Sequence, residues 1–147
     1  MSKVLENAKG VSFVVLNLKN AAGKIISHNV YWQATDNNYK ALSAMPRTQV
    51  QASVLKSEQL KTETQWTIKV TNNSKLLAFF IHPQLKNDGD EILPSFWSAN
   101  YISLAPGEST TLTVNAPNGK LKNKNQEILI EGWNVEKQTI KLSEQKK

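Results

Sequence analysis

Trp66-Thr67-Ile68-Lys69-Val70-Thr71 is the stretch that decides the fold. Apolar and polar residues alternate in it without a break, so Trp66, Ile68 and Val70 point one way and Thr67, Lys69 and Thr71 the other. A strand half in a core and half in water has this period of two, whereas an amphipathic helix repeats its apolar residues every three to four positions. The alternation recurs on both sides. Val50, Ala52 and Val54 alternate with Gln49, Gln51 and Ser53; Leu112 and Val114 alternate with Thr111, Thr113 and Asn115. Three further segments, 11–18, 76–81 and 128–130, are apolar nearly throughout, which predicts more deeply buried strands.

Turn chemistry punctuates these runs. Asn20-Ala21-Ala22-Gly23 predicts a hairpin into a strand over 25–33, and Asn72-Asn73-Ser74 separates the Trp66 strand from the next. Asn87-Asp88-Gly89-Asp90 is the strongest turn signal, because Asx residues and glycine tolerate left-handed backbone. Ala105-Pro106-Gly107-Glu108 and Ala116-Pro117-Asn118-Gly119 follow it. The best helical candidate is the short polar segment 56–64. The polar stretch 35–45 reads as a connection between two sheets or over one end of a sandwich. The prediction is an all-β, immunoglobulin-like β-sandwich of two antiparallel sheets with about 7–9 strands. It occupies 11–142, with an N-terminal linker over 1–10 and a C-terminal tail over 143–147.

A chain of 147 residues, 39% hydrophobic and 20% charged, suits one ordinary globular domain. It has no cysteine, which rules out disulfides, thiolate metal sites and thiol nucleophiles together. The net charge of +6 raises the question of nucleic acid. Arg47 is the only arginine among 18 basic residues, and the lysines are scattered. Lysine lacks the planar fork that reads phosphates and guanine edges, so no nucleic-acid partner is expected. No run is long enough to span a membrane, and nothing near Met1 has the pattern of a signal peptide.

The residues that might carry chemistry are few. Carboxylate catalysis of hydrolysis needs two acidic groups facing each other across a substrate, and the acidic residues here fall in turns or on polar strand faces. Asp88, Asp90 and Glu91 could be read as a calcium loop, but a hairpin turn explains them fully. His28 and His82 lack metal-ligand spacing, and no nucleophile elbow or phosphate loop is present. No catalytic residue, metal or cofactor is therefore expected. The tryptophans remain. Trp66 has the inward phase of its strand, and Trp32 beside Tyr31 reads as core. Trp97 lies among aromatics without a clear period. Trp97, Asn100 and Tyr101 are accordingly the candidates for carbohydrate or interdomain contact.

Five pieces carry a resemblance to a known family. They are Ser27-His28-Asn29-Val30-Tyr31-Trp32, Ala78-Phe79-Phe80-Ile81-His82, Ile92-Leu93-Pro94-Ser95-Phe96-Trp97-Ser98-Ala99-Asn100-Tyr101, Leu104-Ala105-Pro106-Gly107-Glu108-Ser109 and Ile128-Leu129-Ile130-Glu131-Gly132-Trp133-Asn134. In order and spacing the chain resembles the C-terminal immunoglobulin-like domain of glycoside hydrolase family 2 enzymes, in the exo-β-D-glucosaminidase and β-mannosidase-like branch. His28 departs from the acidic or polar residue common there, and Phe96 from tyrosine.

The resemblance implies a non-catalytic accessory domain, with catalysis on a (β/α)₈ barrel elsewhere in the parent polypeptide. It implies other domains of that parent as partners, and a periplasmic or secreted, bacterial, glycan-degrading setting. Two further readings stay open: a carbohydrate-binding module using exposed tryptophan, and a general protein-interaction sandwich.

Overall fold

The computed structural model describes residues 10–123 and 125–142, apart from the side chain of Thr35. The expected linker over 1–10, apart from Gly10, and the expected tail over 143–147 lie outside the described residues. The chain divides into two compact units, one up to Pro46 and one from Arg47 onward.

The first unit is a hairpin. β1 (Val11–Lys19) pairs antiparallel with β2 (Ile25–Ala34). The Asn20 side chain makes the turn, its Oδ1 accepting from the N–H groups of Ala22 and Lys24, while Gly23 takes the positive φ that the turn requires. Segment 11–18 reads as a deeply buried strand, but β1 is half-buried to exposed, and Leu16 and Leu18 stand 43% and 60% open. Two short 3₁₀ turns, Thr35–Asn37 and Lys40–Ala44, follow. This segment leads from the sheet of β1 and β2 to the first strand of the second unit.

The second unit is that sandwich. One sheet runs β3 (Gln51–Gln59), β4 (Glu63–Thr71), β9 (Ser109–Pro117), β7 (Phe96–Trp97). The other runs β11 (Gln138–Lys141), β10 (Gln126–Glu131), β5 (Ala78–Asn87), β6 (Asp90–Glu91). β8 (Ile102–Leu104) also pairs with β5. Trp66, Ile68 and Val70 of β4 and Leu112, Val114 and Ala116 of β9 meet Ile81 and Leu85 of β5 and Ile128 and Ile130 of β10 in one core. The alternation of 66–71 is borne out residue by residue. The turns at Asp88-Gly89 and Gly107 adopt the positive φ that their sequences predict.

The best helical candidate, 56–64, is instead a strand end, a turn and the start of β4. Lys56 to Gln59 pair with Thr67 to Thr64, and the Leu60 N–H donates to the Glu63 carbonyl at 2.8 Å. The segment is polar because β3 is an edge strand, where charge is tolerated and discourages further pairing. Lys56 and Glu58, two apart and so on one face of a strand, form an ion pair at 2.7 Å. Leu55 is the extra residue of a bulge there and is exposed. Among the described residues no helix is long and apolar enough to cross a membrane.

Candidate functional site

β5 must turn both Ala78 and Ile81 into the core, a spacing of three that a regular strand cannot satisfy. A bulge at Phe79 and Phe80 absorbs the extra residue, with Phe80 at φ 53°. The bulge is held from both sides. On one, the Phe80 N–H donates to the Ser103 hydroxyl of β8 at 3.2 Å. On the other, the buried Asn134 accepts from the Phe79 N–H at 2.9 Å and donates to the Leu77 carbonyl at 2.9 Å. The Trp133 N–H donates to the Phe79 carbonyl at 3.0 Å. Gly132 lets the chain approach this closely, since a Cβ there would sit 3.0 Å from the Phe79 oxygen and 3.1 Å from that of Phe80.

An aromatic surface grows from the bulge. The Tyr101 ring stacks on His82 with centroids 4.8 Å apart and planes 9° off parallel. It also meets Phe80 at 5.8 Å, tilted. Tyr101 itself has φ 51°, and its N–H donates to the Asn100 side chain at 2.8 Å. Both Tyr101 and Trp133 are more than half exposed.

The three residues singled out from the sequence are thus separated by the sheets. β7 puts Trp97 opposite Val114 in the four-stranded sheet, half-buried against the core. Asn100 and Tyr101 lie where the chain crosses back to β8 and the five-stranded sheet, and are exposed. Phe80 and His82 join Tyr101, although neither was a candidate for contact in the sequence. The sequence carries no signal for the bulge at Phe80, since 76–81 is apolar throughout. Trp66 is core, as its phase predicts. Trp32 is not enclosed within this chain but 39% exposed.

A second polar cluster is a clasp. The Asp88 carboxylate in the β5–β6 turn accepts from the amides of Asn123 and Asn125, the latter at 2.8 Å, and from Asn87 at 3.0 Å. These bonds, led by that from Asn123, hold its pKa below the ordinary carboxylate value of 3.8. Its oxygens are committed to amide donors that tie two loops together. Among the described residues no group of three His, Cys, Asp or Glu could hold a metal ion.

Parts of three of the five motifs behind the resemblance therefore meet in space: Ala78 to His82, Asn100-Tyr101 and Gly132 to Asn134 surround one bulge. Residues 29–135 match the family described as the exo-β-D-glucosaminidase Ig-fold domain. The chain belongs to that family. The exo-β-D-glucosaminidase of Arthroderma benhamiae is 33% identical over 95% of this chain and 18% of its own length. That of Amycolatopsis orientalis is 30% identical over 84% of this chain and 14% of its own. The crystal structure of the A. orientalis exo-chitosanase CsxA superposes with a TM-score of 0.81 at 26% identity, covering 92% of this chain and 18% of that one.

The Ig-fold domain thus spans less than a fifth of the relatives it matches, and their catalytic domain is not in the matched part. The immunoglobulin-like sandwich expected from the sequence is the fold of this family. These relatives are named exo-β-D-glucosaminidases, not mannosidases, and they come from fungi as well as bacteria, so the bacterial setting is not confirmed.

Proposed function

We propose that this domain is a non-catalytic accessory part of an exo-β-D-glucosaminidase-type glycoside hydrolase, stabilising the multidomain chain and shaping the rim of its active site. The observation that carries this reading is the convergence of three of the five family motifs on a structural device. The β5 bulge, Gly132 and Asn134 are spent on backbone geometry, and what they present outward is the Tyr101–His82 stack rather than a pair of facing carboxylates. Asn100 and Tyr101 are the contact residues in this reading, and Trp97 anchors their loop. The parent enzyme works outside the cytoplasm, where polymeric glucosaminides are met.

The purified chain is expected to give no turnover of 4-nitrophenyl β-D-glucosaminide or chitosan oligosaccharides. Deleting it from the full-length enzyme is expected to lower the melting temperature and the soluble yield. Turnover by the chain alone, or a deletion that leaves both melting temperature and kcat/KM unchanged, would sink the reading. Calorimetric binding of chitosan oligosaccharides that Tyr101→Ala abolishes without lowering the melting temperature would replace it with a carbohydrate-binding role.

A further inference from the structure

Two strands cannot bury two faces by themselves. β1 and β2 nevertheless carry apolar residues on both. Directly opposed residues share a face, so Phe13 with Trp32 and Val15 with Val30 lie on one side of the hairpin. Val14 with Tyr31 lies on the other, continued by Leu16 and Leu18. Near the turn, Ile25 and Ile26 accompany the irregular pairing between Leu18 and Lys19. Of these, Leu16, Leu18, Ile25, Ile26 and Tyr31 are 42–60% exposed.

An antiparallel pair with one wet face separates apolar from polar residues, while apolar residues on both faces mark strands enclosed between layers. The sequence of 11–18 has this enclosed pattern, yet the strand it forms is half-exposed. Among the described residues its faces stay open. The matches indicate the source of a cover. The superposition on the exo-chitosanase covers 92% of this chain, a share too large to leave the hairpin out, and only 18% of the other. More than four-fifths of that enzyme lies outside the matched part.

We infer that β1 and β2 are two strands of a second β-sheet, whose neighbouring strands and facing layer come from the rest of the parent polypeptide. This rests on the accessory-domain reading above. The covering surface is aliphatic and aromatic, since Leu16, Leu18, Ile26 and Tyr31 offer it no charge to pair with. It stops short of the turn, where Lys19 and Lys24 are exposed.

Hydrogen exchange tests this on the 147-residue chain and on the full-length enzyme. In the chain alone, the amides of β1 and β2 should exchange faster than those of β4, β5, β9 and β10 by about two orders of magnitude or more. In the full-length enzyme they should become as protected as the sandwich. Leu16→Lys should leave the melting temperature of the chain unchanged and lower that of the full-length enzyme. A hairpin already as protected as the sandwich in the isolated chain would overturn the inference, as would one still unprotected in the full-length enzyme. Protection that rises with the concentration of the chain, and is absent from the full-length enzyme, would assign the faces to a second copy instead. Each of these outcomes leaves the deletion and turnover tests of the accessory role unaffected, so the two readings can fail separately.

Discussion

The hairpin of β1 and β2 and the sandwich of β3 to β11 are built from the same residue types and use them differently. In the sandwich, Ile68, Val70, Ile81, Leu85, Val114, Ile128 and Ile130 are at most 1% exposed. In the hairpin, Leu16, Leu18, Ile25 and Ile26 keep about half their surface open. Full burial of such a side chain contributes about 1.5–3 kcal/mol, so the sandwich collects a term that the hairpin largely forgoes. β1 pairs with β2 along its length, as β4 does with β9. Pairing gives a strand its shape, and a second layer gives it stability.

The sharpest way to break the comparison is to remove equivalent apolar bulk from each region. Ile130→Ala should cost about 4 kcal/mol in denaturant unfolding, through lost transfer energy and a cavity. Leu16→Ala in the hairpin should stay within about 0.5 kcal/mol. Similar losses at the two positions would erase the distinction between the regions.

The sandwich also depends on buried polar side chains for which the hairpin has no equivalent need. Asn72 is fully buried and donates to the carbonyls of Leu76 and Leu104 at 2.7 and 2.8 Å, while its Oδ1 accepts from the N–H and hydroxyl of Ser74. Asn72→Ala leaves two carbonyls without these donors and should cost about 3 kcal/mol, read from chemical denaturation. Asn72→Asp supplies no replacement donor when ionised, so it should not rescue.

Close approach is the next lever. Gly132→Ala should destabilise by about 1–2 kcal/mol, because the new methyl meets two backbone oxygens of the β5 bulge rather than a movable side-chain end. Near-ultraviolet circular dichroism should register the disturbed aromatic surface. A neutral substitution would mean that the bulge tolerates a shift.

The smallest effect concerns acid. Asp88 has its pKa lowered in the folded chain, chiefly by Asn123 and Asn125. The stability this contributes is fully present above the unfolded carboxylate pKa of about 3.9 and is lost as pH falls through the lower folded value. Asp88→Asn should therefore reduce the melting temperature above about pH 4, with the two proteins converging as pH falls below it. A difference that persists undiminished at low pH would assign the effect to something other than the carboxylate.

The strands of the sandwich were legible because alternation is a local property, stated within six residues at Trp66 to Thr71. The turns were legible for the same reason, since Asn20, Asp88-Gly89 and Gly107 carry their backbone preference with them. The segment 56–64 reads only as a weak helical candidate because a polar edge strand has no alternation to show. The aromatic site was half legible. Tyr101 stood out as an aromatic without a period, but its partners Phe80 and His82 lie in β5, 21 and 19 residues away, and no local pattern links them.

By itself, the sequence determined that this protein is made of strands, where they turn, and which family it resembles, since period, turn residues and motif order are properties of the chain in one dimension. Only the tertiary structure decided which apolar strands find a cover. Trp97 and Tyr101, four residues apart, go to different sheets because the chain crosses the sandwich between them. Val11 to Leu18 reads as buried and stands exposed because burial belongs to a pair of surfaces, and a sequence declares only one of the two.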